Sequence, residues 1–294
     1  MEDSLILTPV HAGGARIVDR GRDGQRAAGI PTGGAADPEA RRAALDLLGL
    51  PDHAPCLELP LMGGVWLLSG RGQIVLTGAD MNWRLDGKPI TRYSVLYLEG
   101  DHLLAGRQAI NGCRGYLAVC GSWSSTNTGL TLPVIRGSRE AGLPGTVNLR
   151  RDEPLEIKSS GECPFRNDLS TTYPDRVMLT AHPGPEFRLL TTAQRAAVFG
   201  TIYTIDRSSD RQGLRLRADT PLDVYLPSQL SSPVLPGTVQ LSPAGPILLG
   251  PDAQTIGGYP RILQVDKWQP AFQLRPAQQL RFRPHRSGPG GVPR

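Results

Sequence analysis

The chain has 294 residues, long enough at roughly 150 residues per domain for two domains, each with its own buried core. Its 35 glycines and 27 prolines suit many turns between short strands, and they fall short of the composition that marks a disordered chain. The formal net charge of +5 is arginine charge, since Lys88, Lys158 and Lys267 are the only lysines; with aromatics at 5%, too few for base stacking, it reads as a solvated arginine surface and excludes a nucleic-acid face.

The opening MEDSLILTPV has neither a basic n-region nor a long apolar run. No segment approaches the roughly 18 apolar residues of a membrane span, so a soluble, cytoplasmic protein is expected. Asp37 as N-cap, Pro38 at the first helical position, and Ala40, Ala43, Ala44, Leu47 and Leu48 on one face, closed by Gly49, predict a helix. Short apolar runs bounded by turn residues predict strands at 73–77, 94–98, 116–119, 201–205 and 261–265. Asp86-Gly87 between two such runs predicts a type I′ hairpin.

Cys56, Cys113, Cys120 and Cys163 form no C-x-x-C pair, so neither a zinc site nor a disulfide framework is expected. Composition changes between Arg151 and Asp175. This places an N-terminal β-rich domain over 1–155, a linker over 156–175, a C-terminal β-barrel domain over 176–285 and a disordered Gly/Pro-rich tail over 286–294. Thr191 and Gln194 have capping-box spacing and predict a second, short helix. Two helices among a dozen or more strands make a mainly β fold, barrels or sandwiches.

The common catalytic signatures are missing: no G-x-S-x-G, H-E-x-x-H, Walker A or G-x-G-x-x-G on a strand-to-helix turn. His11, His53, His102, His182 and His285 stand singly. Chemistry is therefore expected from Asp, Glu, Arg, Ser, Thr, Tyr and backbone groups.

The strongest candidate is the segment GPDAQTIGGYPR, which follows the apolar run 246–249. There Asp252 can accept a proton at an exposed strand exit, Gln254 and Thr255 can donate to an oxyanion, and Gly257 and Gly258, beside Tyr259, allow a ligand close to the backbone. The alternative is a structural bend. Asp210, Arg211 and Arg215 around Gly213 form either a carboxylate or phosphate clamp or a surface ion-pair cluster. Arg114 and Tyr116 share a strand face and can grip a carboxylate, or can be solvated; Glu58 can pair with an arginine inside a barrel mouth. Asp80 is a ligand or a turn cap. Gly33 and Gly34 can present N–H groups to an anion at the helix start, or serve a tight entry turn, and Asp37 serves as N-cap or as a site acid.

Several segments taken together resemble a known family: Asp19-Arg20-Gly21-Arg22, Gly29 to Asp37 (GIPTGGAAD), Leu57-Glu58, Leu76 to Asp80 (LTGAD) and Arg114 to Val119 (RGYLAV) in the first half, with Ser209 to Leu216 (SDRQGLRL) and Pro236 to Gln240 (PGTVQ) in the second. The resemblance is to the C subunit of bacterial 5-oxoprolinase, also called the biotin-dependent carboxyltransferase or allophanate hydrolase subunit 2 family, and runs from about Leu5 to Phe282. It implies two β-barrel domains related to the cyclophilin-like fold. It also implies a KipI-like B subunit and a LamB/YcsF-like A subunit as partners, with which such a protein opens 5-oxo-L-proline to L-glutamate using ATP, with Mg²⁺ shared among the subunits.

Two further activities exist in the family. One is carboxyl transfer from carboxybiotin to urea or a related amide, and the other is binding of a KipI-like kinase inhibitor without catalysis. No biotin is expected on this chain, because the usual Met-Lys-Met is replaced by Gly87-Lys88-Pro89. The chain departs from the family pattern at Ala253, where members commonly carry an arginine, at Ser231-Ser232-Pro233 and at Arg136 to Arg139.

Overall fold

In the computed structural model the described residues are 4–123, 152, 154–158, 171–219, 224, 226 and 229–285. The expected tail at 286–294, the segment at Arg136 and Cys163 lie outside them. The chain divides into two units, Met1–Tyr173 and Pro174–Arg294. Among the described residues no helix is long and apolar enough to cross a membrane.

The first unit is one ten-stranded sheet. Its strands are β1 (Ser4–His11), β2 (Arg16–Val18), β3 (Cys56–Pro60), β4 (Met62–Asp80), β5 (Arg84–Leu85), β6 (Lys88–Pro89), β7 (Val95–Gln108), β8 (Asn111–Val119), β9 (Ser122–Trp123) and β10 (Leu155–Lys158). The order is β2-β3-β8-β4-β1-β10-β9, with β7 also on β4 and the β5–β6 hairpin beside β7. Two β-barrel domains were expected, and this unit takes the form of a half-barrel. The reason lies in β4: its 19 residues pair with β1 over one stretch, with β8 over another and with β7 along much of its length, so the sheet bends along one strand instead of joining its edges.

The β5–β6 turn has φ of 51° at Asp86 and 78° at Gly87, the positive angles a type I′ turn requires. Helix α1 (Pro38–Leu47) forms as its sequence predicts and lays Ala40, Ala44, Leu45 and Leu48 on Val75, Ala118 and Cys56 of the sheet. The opposite face buries Leu5, Leu57, Leu59, Trp66, Leu68 and Leu117.

Glu156 to Lys158, at the start of the expected linker, belong to β10 and pair with β1. Tyr173, at its far end, is also fastened: its N–H donates to Asn111 Oδ1 at 2.9 Å and its carbonyl accepts from Asn111 Nδ2 at 2.8 Å. Low periodicity hid both. Of the described cysteines, Cys56 and Cys113 are buried thiols outside any disulfide, whereas Cys120 is disulfide-bonded, so the expectation of no disulfide is corrected. Sequence spacing reports local pairs only, and a strand end can meet a distant cysteine.

The second unit is a closed barrel of β11 (Arg176–Pro183), β12 (Tyr203–Ile205), β13 (Gly213–Ala218), β15 (Thr238–Ser242), β16 (Gly245–Leu249), β18 (Arg261–Val265) and β19 (Gln279–Pro284). A small ladder of β14 (Ser232–Pro233) and β17 (Ile256–Gly257) stands apart from it. Closure comes from the parallel pairing of β11 with β19, from Arg176↔Gln279 to Ala181↔Pro284. Strict alternation puts Val177, Leu179, Leu214, Leu216, Leu280 and Phe282 inside.

Helix α2 (Thr192–Gly200) carries both arms of its capping box: Gln194 N–H donates to Thr191 Oγ1 at 3.2 Å and Thr191 N–H to Gln194 Oε1 at 2.9 Å. Thr191→Ala removes one arm and is expected to lower stability by about 1 kcal/mol. Urea unfolding with an unchanged slope and a lower midpoint is the check.

Candidate functional site

Each unit gathers its own constellation of polar residues. In the first, strand register sets the geometry. Glu58 on β3 stands opposite Tyr116 on β8, and Pro60 opposite Arg114. Glu58 has no exposed surface. Its Oε2 accepts from the Tyr116 hydroxyl and from Ala36 N–H, both at 2.9 Å, while Arg114 Nε lies 3.6 Å from Oε1. The carboxylate that Arg114 and Tyr116 grip is thus the chain's own.

The network continues into the helix start. Asp37 N–H donates to the Tyr116 oxygen at 2.8 Å. Asp37 Oδ1 accepts from Ala40 N–H at 3.0 Å, the N-cap bond, and Oδ2 accepts from the Tyr173 hydroxyl at 2.9 Å. Burial, with the Glu58 and Asp37 charges beside it, holds the Tyr116 phenol well above its ordinary value. Tyr173 is raised by burial first, then by Asp37 and Tyr93. Both phenols therefore stay protonated and serve as donors. Tyr93, held at a φ of 60°, accepts from Gly78 N–H at 3.1 Å.

The glycines ahead of α1 are required by packing. Gly33 and Gly34 have φ of 64° and 79°. A Cβ on Gly34 would sit 2.9 Å from the Gly21 backbone. That backbone is held in turn by Asp19, whose Oδ1 accepts from Gly21 N–H at 3.1 Å. Burial raises the Asp19 carboxyl to about 6 against the opposing pull of Arg41, Arg22 and Arg20. Asp80 caps its own turn through Asn82 N–H at 2.9 Å, with Arg92 at 4.0 Å.

In the second unit the expectation of an exposed Asp252 is overturned. Asp252 is 4% exposed and Arg211 6%; Arg211 Nε donates to Oδ2 and Nη2 to Oδ1, each at 2.8 Å. The barrel brings the two together because Asp252 N–H also donates to the Arg211 carbonyl and Gly250 N–H to that of Gln212. A carboxylate doubly bonded to a guanidinium is held charged and is a poor proton acceptor. Asp210 caps the neighbouring turn, accepting from Gln212 N–H at 2.8 Å and Gly213 N–H at 3.2 Å, while Arg215 is exposed.

The rest of the segment is held by an amide ladder. Gln254 Nε2 donates to Gln240 Oε1, and Gln240 Nε2 donates to the Tyr259 carbonyl, both at 3.1 Å. A Cβ on Gly257 would lie 2.6 Å from the Gln240 amide, so the close approach that this glycine permits is filled by the chain itself. Gly258 lies against the Gln229 carbonyl, which a Cβ would meet at 3.2 Å. The Thr255 carbonyl accepts from Val234 N–H, and Tyr259 is 42% exposed. Arg261 is fixed by Glu186 through Nε at 2.9 Å and Nη2 at 2.8 Å.

Ala253 has no exposed surface and packs with Val234 and Leu249, so the departure from arginine here follows the packing. A cavity of about 420 Å³ beside the β15–β16 turn is lined by Leu216, Arg217, Leu241, Pro243 and Pro246, none of them a candidate site residue from the sequence.

Sequence reasoning missed Tyr93, Tyr173 and Gln240 as members of these networks. Gln240 closes the PGTVQ element, which was its available signal. Tyr173 lay in a stretch read as linker.

The family described as carboxyltransferase domain, subdomain A and B, matches residues 28–284. The chain belongs to this family. It is 31% identical to the 5-oxoprolinase C subunit of Haemophilus influenzae over 258 residues, 85% of this chain and 81% of that protein. It is 31% identical to the 5-oxoprolinase C subunit of Escherichia coli over 278 residues, 90% and 86% of the two chains. A putative urea carboxylase of Emericella nidulans is 25% identical over 96% of this chain and only 24% of its own length. Among solved structures, that of TTHA0988 superposes with a TM-score of 0.81 at 24% identity over 95% of this chain, which spans 56% of that one; this supports the fold alone.

Two outcomes follow. Asp252→Asn is expected to leave a buried guanidinium half-partnered and to cost about 3–5 kcal/mol, seen as a large fall in Tm; an unchanged Tm with lost turnover would instead restore the proton-acceptor role. Asp19 has a folded-state pKa raised from 3.8 to about 6, so the unfolded chain loses its proton first and stability falls as pH rises from about 4 through 6. Asp19→Asn is expected to remove that slope, worth about 3 kcal/mol at the two-unit shift, in unfolding midpoints measured between pH 4 and 7.

Proposed function

We propose that the chain is the C subunit of an ATP-dependent 5-oxoprolinase, which with its A and B subunits opens the lactam of 5-oxo-L-proline to L-glutamate. One observation carries this reading. The chain is 31% identical to two named 5-oxoprolinase C subunits over 81% and 86% of their length, against 25% identity to the urea carboxylase.

In this reading the outer part of the GPDAQTIGGYPR bend meets the substrate. Gln254, Thr255 and Tyr259 offer an amide and two hydroxyls to the lactam oxygen, and exposed Arg215 offers a planar partner for the substrate carboxylate. Asp252 and Arg211 act as the brace behind that bend. Transfer of the γ-phosphoryl group of ATP to the lactam oxygen, with ADP leaving, activates the ring carbon; water then adds there, the C–N bond breaks with the nitrogen taking a proton, and phosphate leaves to give glutamate. The bare backbone at Gly34 faces Gly21, where a Cβ would lie 2.9 Å away, so these glycines do not make a phosphate cradle. The nucleotide and its Mg²⁺ are accordingly given to the partner subunits.

Carboxyl transfer is the second reading, favoured by the family's description and by the 25% identity to the urea carboxylase. Co-expression with the A and B subunits of the same genome separates the readings. Glutamate release that needs all three chains, 5-oxoproline and ATP is the expected result. Carboxyl transfer from carboxybiotin in its absence would favour the second, and a stable complex with neither activity would leave a binding module.

A further inference from the structure

The outer face of the closed barrel carries charge in an ordered way. On β11 the outward positions are Arg176, Met178, Thr180 and His182, and on the parallel neighbour β19 they are Gln279, Arg281 and Arg283, with His285 just past its end, its N–H on the Ala181 carbonyl. Adjacent strands lie about 4.8 Å apart and successive outward residues about 7 Å apart. Three guanidiniums and two imidazoles therefore share one small face.

Neutral groups hold these arginines. Arg176 Nε donates to Gln279 Oε1 at 3.0 Å, Arg281 Nε to the Phe199 carbonyl at 2.9 Å and Arg283 Nε to Thr180 Oγ1 at 2.8 Å. Of the carboxylates at the two ends, Asp175 pairs with Arg275 at 3.7 Å, and Asp266 pairs with His182 of the face itself at 2.8 Å. Among the described residues none of the three arginines has a carboxylate within ion-pair distance. At the centre, beside Arg281, Met178 is 53% exposed.

An ordinary solvated face has mobile cations and no apolar centre. Here the cations are already oriented, which lowers the ordering cost of binding, and exposed methionine with arginine is the composition of protein interfaces. His182 and His285 stack at 4.2 Å between centroids and extend the flat face.

The geometry points to the β11–β19 face as the docking surface for a protein partner with an acidic, apolar-centred patch. Resting on the function proposed above, that partner is another member of the same complex. Lipid is disfavoured by the single apolar side chain at the centre, and nucleic acid by the absence of Phe, Tyr and Trp from the outward positions of the two strands.

The test uses the full chain and purified A and B subunits. In wild type, a complex that releases glutamate establishes the function, and its affinity is expected to fall as NaCl rises. Arg281→Glu with Arg283→Glu is expected to weaken assembly at least 10-fold, while Arg107→Glu, an exposed arginine of the first unit, changes it less than twofold. If the double glutamate variant does not fold, Arg281→Gln with Arg283→Gln is expected to weaken assembly at least threefold.

Undiminished assembly by a folded double variant, in a complex that turns over, overturns the docking face and leaves the function standing. Wild-type chain that binds neither partner overturns both. Binding of a 30-base-pair duplex or of phosphatidylserine vesicles that the double variant loses would overturn the choice of a protein partner.

Discussion

A carboxylate with no solvent contact constrains the whole first unit. Glu58 cannot be buried alone without a cost of several kcal/mol, so everything it touches must supply a proton or a positive charge. The supply comes from two directions. Register across β3 and β8 delivers Tyr116 and Arg114, and the loop before α1 delivers Ala36 N–H. The helix start is thereby fixed to the sheet through one oxygen. From there the Tyr116 oxygen takes Asp37 N–H, Asp37 caps α1, and its second oxygen takes the Tyr173 hydroxyl. Removing the acid would orphan donors in three elements at once, because each link is satisfied by the next.

The second unit solves a similar problem with a full ion pair. Arg211 and Asp252 stand 41 residues apart in sequence and meet through two bonds in a buried position. Their geometry is bidentate, so it fixes angle as well as distance, and the bend that follows inherits that precision. Gln240 then holds Gln254 on one side and the Tyr259 carbonyl on the other. Polar side chains that look reactive in sequence are here the supports of a loop. The side chains that the loop exposes most are Ile256 and Tyr259, and neither is an acid.

Local signals were legible in the sequence, and non-local ones were not. The Asp37-Pro38 start of α1, the Thr191–Gln194 box and the Asp86-Gly87 turn each depend on residues within four positions, and each forms as its residues imply. Mainly β architecture was equally plain. The half-barrel was not, because it depends on how 19 residues of β4 are shared among three partners. Arg211 and Asp252 were both picked out, yet nothing in their separate segments says that they take each other. A strand exit suggested exposure for Asp252, and barrel closure reversed it. Tyr173 was lost for a different reason: a stretch without periodicity was read as linker, although a single asparagine side chain can fasten such a stretch by both backbone groups.

The near absence of lysine has a physical explanation in the same contacts. A lysine ammonium is a point charge with strong hydration, whereas a guanidinium presents donors in a plane and is less costly to dehydrate. Arg41 is 2% exposed and reaches both the Asp52 carboxylate at 3.2 Å and the Ala54 carbonyl at 2.9 Å, two acceptors in different directions that one ammonium would meet only with loss of geometry. Arg261 spans Glu186 and the Pro233 carbonyl in the same way. On the outside of the barrel, Arg281 and Arg283 use one edge of the plane for a neutral oxygen and keep the remaining donors for whatever approaches. Arginine thus serves inside as a multi-acceptor tie and outside as an oriented charge. A chain that depends on both uses cannot exchange arginine for lysine freely, and a composition that first read as a bland solvated surface follows from where the guanidiniums are held.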